Sequence, residues 1–210
     1  MILDYLFYNQ NICLVCKQAY TDNYICQDCL SRLDFIDGDF DLQEGRVRYP
    51  LFYNNYLKEL ITRYKFYGHT YLMKVFALIL YQYFIEHEDQ LRCDYIAFVA
   101  MDAKSKFKRG YNQVELLARQ LSVYTGIAVV DCLAKVVKTK EQNKLNTYDR
   151  KDNLKKSYKA VEGLDLDGRR ILMLDDIVTT GNTLRVVRDA LLENYRVKIN
   201  FLTITSSRHG

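Results

Sequence analysis

The sequence predicts an α/β fold in which a parallel sheet is flanked by helices and preceded by a small cysteine-rich module. From residue 94 onward, short apolar strand patterns alternate with amphipathic helix patterns. This alternation is typical of a parallel sheet covered by helices. Four of the six cysteines lie between Cys13 and Cys29. We therefore expect a module at residues 1–45 and an α/β domain at residues 46–210.

Composition limits the class of protein. A length of 210 residues suits one such domain with an accessory module, and 49% hydrophobic residues suffice for a core. The net charge of +4 does not by itself predict a nucleic-acid partner. The N-terminus lacks the basic flank of a secretory signal, and the longest apolar run, residues 75–80, is too short to span a bilayer. We expect a soluble, cytoplasmic protein without membrane insertion.

The cysteine module consists of two C-x-x-C pairs. Cys13 with Cys16 and Cys26 with Cys29 are separated by nine residues. Each pair can direct two thiolates at one tetrahedral ion, and two pairs complete a four-cysteine site without an open position for catalysis. We predict a structural Zn²⁺, with a redox pair as the alternative. The remaining thiols, Cys93 and Cys132, are expected to pack in the core.

The other elements follow in order along the chain. Strand patterns occupy residues 46–53, 95–101, 127–130, 171–174 and 197–205. Helix patterns occupy residues 55–67, 70–87, 112–124 and 183–193. Before them, Asp37-Gly38-Asp39 and Glu44-Gly45 indicate a linker and a turn.

Residues 171–184, ILMLDDIVTTGNTL, carry the clearest chemical signal. A buried strand delivers two carboxylates, Asp175 and Asp176, to the sheet edge where ligands of α/β proteins bind. These carboxylates suit ribose hydroxyls or a hydrated Mg²⁺. The turn before the next helix suits a phosphate because of its backbone N–H groups, its hydroxyls and the helix dipole. It consists of Thr179, Thr180, Gly181, Asn182 and Thr183. The string resembles the phosphoribosyl pyrophosphate (PRPP) motif of type I phosphoribosyltransferases.

Two basic segments border the predicted site. Residues 104–113, KSKFKRGYNQ, follow a strand and form a predicted basic loop, in which Lys104 and Arg109 are candidates for phosphate or pyrophosphate contact. Residues 135–159 contain nine Lys or Arg and three acids, a net charge of +6. This long polar segment is interpreted as an active-site lid, as a track for a nucleic-acid backbone, or as solvated coil. The candidate nucleic-acid contacts are Lys138, Lys140, Lys144, Arg150, Lys151, Lys155 and Lys156.

Taken in order, these segments resemble the ComF family of late competence proteins, which join a four-cysteine zinc finger to a phosphoribosyltransferase-like domain. The resemblance covers most of the chain. It rests on the four cysteines, on Tyr64-Lys65-Phe66 with Gly68-His69, and on Arg109-Gly110-Tyr111-Asn112-Gln113. It continues through the spaced residues Gln142, Leu145, Arg150 and Asn153 and ends with the DDIVTTGNT string.

The resemblance implies a type I phosphoribosyltransferase-like fold and a role in natural transformation. It implies handling of incoming single-stranded DNA alongside a helicase partner encoded with the protein, with a retained site for PRPP and Mg²⁺. The alternative is an active phosphoribosyltransferase with an unknown amine or base acceptor, in which Asp175 and Asp176 would be catalytic. A third possibility is a sensor in which PRPP binding only switches a partner interface.

Overall fold

The computed structural model describes residues 11–43, 45–136 and 157–208. Its strands are β1 (Phe35–Asp41), β2 (Arg46–Phe52), β3 (Tyr95–Phe98), β4 (Leu133–Lys135), β5 (Tyr158–Ala160), β6 (Arg170–Val178) and β7 (Lys198–Ser206). Its α-helices are α1 (Gln27–Leu30), α2 (Asn55–Phe66), α3 (Met73–Glu86), α4 (Glu88–Leu91), α5 (Ala103–Arg109), α6 (Gln113–Thr125) and α7 (Asn182–Leu192). A 3₁₀ turn, Thr70–Leu72, precedes α3.

The main sheet has five strands in the order β1-β2-β7-β6-β3. The pairs β2–β7, β7–β6 and β6–β3 are parallel, and only β1 runs antiparallel to its neighbour. The parallel strands therefore end at one common edge, where ligands of α/β proteins bind. The predicted α/β architecture of a parallel sheet flanked by helices is confirmed.

The sheet is covered on both faces. One core cluster joins α2, α3 and α6 to the sheet and includes the buried cysteines Cys13, Cys26 and Cys29. The other joins α7 and the small β4–β5 hairpin to the sheet and includes Cys132. The cysteine module thus packs onto the α2 side of the sheet. No helix in the described parts of the chain combines the length and apolar character needed to cross a membrane.

Strand β1 differs from the linker predicted at residues 37–39. It pairs with β2, with an irregular register between Phe35 and Gly38. A Cβ at Gly38 would lie 2.2 Å from the Tyr49 ring, so the glycine allows close strand approach. The pairing of β1 with β2 thus outweighs the local preference of Asp37-Gly38-Asp39 for a turn. The predicted division of the chain at residue 45 stays a prediction, and this hairpin spans it.

Two further element predictions were wrong. The basic loop predicted at residues 104–113 begins with α5, which is capped by Asp102 accepting a hydrogen bond from the Ser105 amide at 2.8 Å and ends at Gly110 with φ +84°. No residue of α5 is buried, so its sequence lacks the hydrophobic periodicity from which a helix is predicted. The strand predicted at residues 127–130 is reduced to a single parallel bridge between Val129 and Ile96.

Candidate active site at the carboxyl edge of the sheet

Strand β6 carries Asp175 and Asp176 to the carboxyl edge. Because successive side chains of a strand point to opposite faces, the two carboxylates enter different surroundings. Asp176 is 4% exposed, whereas Asp175 is partly buried. The adjacent acids therefore have different roles, which the sequence alone does not distinguish.

Asp176 is held by residues from two other motifs. Lys65 Nζ donates to Oδ1 at 2.7 Å, and Gln113 Nε2 donates to Oδ2 at 2.7 Å. The Ile177 amide also donates to Oδ1 at 2.7 Å. Both oxygens are therefore engaged within the protein, and Asp176 acts as the anchor that ties α2 and α6 to β6.

The network extends from Gln113 to Arg109. Arg109 donates from its guanidinium to Gln113 Oε1, and its guanidinium lies 5.2 Å from the centre of the Phe66 ring. The Tyr64 hydroxyl donates to the Gln113 carbonyl at 2.5 Å. Segments 64–66, 109–113 and 175–176, far apart in sequence, thus form one connected network. Arg109 lies at the edge of this network, and its contact with phosphate stays a prediction.

Asp175 retains an oxygen without a hydrogen bond to the described residues. Its Oδ1 accepts from the Asp176 amide at 2.9 Å. Burial, reinforced by the charge of Asp176, raises the pKa of Asp175 from 3.8 to about 7, because nearby Lys65 and Lys135 offset these effects only in part. A bound cation or hydroxyl donors would stabilise the ionised form of a carboxyl group in this position. Asp175 is therefore the acid suited to ribose hydroxyls or hydrated Mg²⁺.

The β4–β5 hairpin lies on the Asp175 side. The pKa of Tyr158 is raised by its own burial and by the charges of Asp175 and Asp102. Tyr158 is buried, so it is not available for stacking on a base. Lys135 lies 5.4 Å from the centre of the Tyr158 ring. The two ends of the basic segment thus flank Asp175.

The turn after β6 has the predicted strand–loop–helix setting. Gly181 adopts φ +77° and caps α7, which begins at Asn182. Thr179, Thr180, Asn182 and Thr183 are exposed. Arg185 braces the turn, since its Nη1 donates to the Thr180 carbonyl at 3.1 Å and to Asn182 Oδ1 at 3.0 Å. The exposed hydroxyls and the amides at the start of α7 give the turn the character of an anion site.

Other predicted contacts lie elsewhere or outside the described residues. Lys104 is exposed on α5 and makes no ion pair within the described parts of the chain. Its pyrophosphate contact stays a prediction. The candidate nucleic-acid contacts lie outside the described residues; they are Lys138, Lys140, Lys144, Arg150, Lys151, Lys155 and Lys156.

Lys65 and Gln113 are the functional residues that sequence reasoning did not assign to the site. Both belong to motifs quoted for the family resemblance, but no spacing rule places them against Asp176. Their only signal was membership in those motifs. A lysine in mid-sequence and a glutamine at a helix start are otherwise unremarkable surface residues.

The four cysteines of the module come together as predicted. The Sγ atoms of Cys13, Cys16, Cys26 and Cys29 all lie within 4.8 Å of one another, and three of these residues are buried. Burial raises the pKa of Cys29 to about 12 and also raises that of Cys26, whereas backbone hydrogen bonds lower the pKa of Cys16 to about 6, so ionising all four thiols together requires a cation. The residues fit a closed four-sulfur metal site, as in a small zinc finger.

Comparison with known proteins supports the same architecture. Residues 108–210 match the phosphoribosyl transferase domain family. Competence protein F of Haemophilus influenzae is 29% identical over 191 residues, covering 86% of this chain and 83% of that protein. Competence protein ComFC of Bacillus subtilis is 25% identical over 187 residues, covering 87% and 72%.

Two further comparisons are more limited. DNA utilization protein YhgH of Salmonella typhi is 32% identical over 102 residues, 48% of this chain, and the match spans only 44% of that relative. The solved adenine phosphoribosyltransferase of Saccharomyces cerevisiae is 14% identical and covers 86% of each chain at a TM-score of 0.43.

The two competence proteins each match more than four fifths of this chain, and the structure brings residues 64–66, 109–113 and 175–176 into one network. The chain is therefore similar to competence proteins F and ComFC over most of its length, its residues 108–210 match the phosphoribosyl transferase domain family, and its four clustered cysteines fit a small zinc finger.

Proposed function

We propose that the protein is a competence factor for natural transformation that handles incoming single-stranded DNA in the cytoplasm. It acts with a helicase partner encoded with it and retains a site for PRPP with Mg²⁺. The names of the relatives support the competence role, since two are competence proteins and a third is a DNA utilization protein. The four-cysteine module holds a structural Zn²⁺.

The proposed phosphosugar site is supported by the different hydrogen bonding of Asp175 and Asp176. Asp176 is neutralised by Lys65 and bonded through both oxygens. Asp175, the preceding residue, has a raised pKa and one carboxylate oxygen that makes no hydrogen bond to the described residues. The exposed Thr179–Thr183 turn follows on the same strand–helix connection. A ligand with hydroxyls or a bound cation at one end and a phosphate at the other matches this pair of groups.

Calorimetry with Mg²⁺-PRPP tests the site directly. Wild type is expected to bind, and a variant carrying both Asp175→Asn and Asp176→Asn is expected to lose binding. Retention of wild-type affinity by this double variant, shown to be folded, would contradict the site assignment. Repeating the titration with single-stranded oligonucleotide present shows whether the two ligands compete, cooperate or bind independently.

The DNA role depends on electrostatics that salt can test. Contacts with phosphates release counterions, so affinity for a single strand should fall steeply as salt rises. Neutralising the lysines and arginines of residues 135–159 should weaken binding and flatten this dependence. Affinity that responds neither to salt nor to this neutralisation would refute the electrostatic form of the proposal.

The second candidate is a working phosphoribosyltransferase, favoured by the match of residues 108–210 to the transferase domain. Asp175 would hold the ribose hydroxyls, the Thr179–Thr183 turn the 5-phosphate, and Arg109 the departing pyrophosphate. Mg²⁺ would supply charge neutralisation of that leaving group. Arg109 is already oriented by Gln113, so its charge is in place before the ligand arrives.

Pyrophosphate release separates the candidates. Release in the presence of one of a panel of amines and bases would establish transfer. PRPP binding without release across the panel would favour a non-catalytic site, and in that case a PRPP-dependent change in partner binding would identify a sensor.

A further inference from the structure

Helix α5 exposes its most apolar side chain instead of burying it. Phe107 is 92% exposed, and none of the seven residues of α5 is buried. Counting 100° per residue, Phe107, Lys104 and Lys108 lie on one contiguous face. The partly buried residues of α5, Ser105 and Arg109, lie away from it. The outward face of this helix is therefore a phenylalanine beside two lysines.

The cations on this face are not neutralised. Within the described parts of the chain, neither Lys104 nor Lys108 lies within 4.0 Å of a carboxylate, whereas Lys106, on another side of the helix, reaches Glu115 at 3.1 Å. The acidic residue at the start of α5, Asp102, is occupied in capping the helix. The face thus has positive charge available for an anionic partner.

A second pair of exposed rings lies nearby. Phe66 is 68% exposed and Tyr67 is 69% exposed at the end of α2. Arg109, at the end of α5, lies over the Phe66 ring at 5.2 Å and links the two segments. We call Phe66, Tyr67, Phe107 and Lys108 the aromatic rim. Both of its segments adjoin the Asp176 network, since Lys65 precedes Phe66 and Arg109 contacts Gln113.

We infer that the aromatic rim binds single-stranded nucleic acid, with bases stacked on its rings and a phosphate beside Lys108. A single strand presents flat bases and negative phosphates, and the rim presents three exposed rings with the cation of Lys108 among them. Stacking on exposed aromatic rings within a basic surface is how proteins hold single strands without sequence preference. A lone ring projecting from a helix offers an open face for such stacking rather than a groove for a folded partner.

This inference rests on the proposed DNA role and extends it to residues outside the segment 135–159. It places the strand next to the phosphosugar site, because the segments that bear the rings also supply Lys65 and Arg109. Phe107 and Lys108 are not among the groups assigned to PRPP, so their substitution should leave PRPP binding intact.

The test is fluorescence anisotropy of a labelled oligothymidylate with the full-length protein over a series of salt concentrations. Phe107→Ala is expected to weaken binding about 5-fold or more, the range found for loss of one stacked base. Phe107→Tyr keeps the ring and is expected to bind like wild type. Lys108→Ala is expected to reduce the slope of log affinity against log salt by about 0.7, the value for one lost phosphate contact on a single strand.

Phe35→Ala is the matched control. Phe35 is an exposed phenylalanine, 51% accessible, on β1 at the opposite edge of the sheet from β3, which leads to α5. Its replacement should not alter oligonucleotide binding. Calorimetry with Mg²⁺-PRPP on the Phe107 and Lys108 variants checks that the fold and the site remain intact.

The outcomes separate this inference from the proposed function. Salt-dependent binding by wild type that Phe107→Ala and Lys108→Ala leave unchanged would overturn the rim and leave the DNA role in place. Absence of oligonucleotide binding by wild type would overturn the DNA role and the rim together. Normal oligonucleotide binding by Phe107→Ala with loss of binding to the helicase partner would assign the rim to protein contact and overturn the inference.

Discussion

Replacing each of the two adjacent acids by its amide should change stability in opposite directions. Asp175→Asn removes a charge that the fold disfavours, whereas Asp176→Asn removes the partner of a partly buried lysine. The two side chains are neighbours in sequence, and each substitution preserves shape. A difference in sign therefore reports the surroundings of each carboxylate and nothing else.

The expected change in the free energy of unfolding for Asp175→Asn follows from the pKa of Asp175. In the unfolded chain the carboxyl ionises near 3.8, whereas the folded protein holds the proton to about 7. Between these values ionisation favours the unfolded state, so wild type loses stability as pH rises from about 4 to 7 and the loss is complete above about 7. The difference amounts to an upper limit of about 4 kcal/mol. Asp175→Asn should therefore stabilise the free protein by up to this amount at pH 8 and by only about 1–2 kcal/mol at pH 5.

The expected change in the free energy of unfolding for Asp176→Asn follows from the ion pair of Asp176 with Lys65. Lys65 Nζ and Gln113 Nε2 both donate to its carboxylate at 2.7 Å. An asparagine can accept through one atom only, and its NH₂ group would face a second donor. Breaking one side of a buried ion pair costs about 3–5 kcal/mol. Because the Lys65 side chain is 19% exposed, this range is an upper limit, and Asp176→Asn should destabilise the protein by up to about this amount at pH 8.

Urea unfolding at pH 5 and pH 8, without PRPP, measures both effects. Exposed Asp89 provides the control, since Asp89→Asn should change stability by less than about 0.5 kcal/mol. Calorimetry on the Asp175 variant should also show weakened Mg²⁺-PRPP binding. Destabilisation by Asp175→Asn at pH 8, or an effect that does not shrink at pH 5, would refute the reasoning.

Three further perturbations follow from the same contacts. Lys65→Met should destabilise the protein by up to about 3–5 kcal/mol in urea unfolding by leaving Asp176 without its cation, whereas Lys58→Met, on the exposed side of the same helix, should have little effect. Gly181→Ala should lower the free energy of unfolding by about 1–2 kcal/mol because of its φ of +77°, and the added Cβ, 3.1 Å from the Leu42 side chain, should lower it further. Gly163→Ala is the control, because at φ +80° with open space around it this substitution measures the backbone cost alone. Removing zinc with a chelator should lower the Tm by calorimetry, because the four cysteines share a core cluster with α2 and α3; an unchanged Tm after measured metal loss would contradict a structural role.

The part of the site on one continuous segment was predictable. Four apolar residues, two acids and a small-residue turn specify strand, loop and helix locally, and the structure has β6, the turn and α7 in those places. The parts built from distant segments were not predictable. Lys65 and Asp176 are 111 positions apart in sequence, and only the packing of α2 on the sheet brings them within 2.7 Å.

The missed elements share a physical reason. Strand β1 contains Asp-Gly-Asp, a local turn signal, yet pairing with β2 satisfies its backbone and Gly38 accommodates the Tyr49 ring. Helix α5 buries no side chain, so it lacks the periodic apolar pattern from which helices are predicted. In both cases the determining contact is either nonlocal or a backbone cap.

The sequence by itself determined the four-cysteine module, the parallel α/β architecture and the position of the acidic strand end, because spacing and periodicity are local properties of the chain. The tertiary structure alone decided that Asp176 is bonded through both oxygens, whereas Asp175 keeps an oxygen without a hydrogen bond to the described residues. Adjacent residues of a strand face opposite sides of the sheet, so their burial, charge partners and pKa values depend on which distant segments pack against each side.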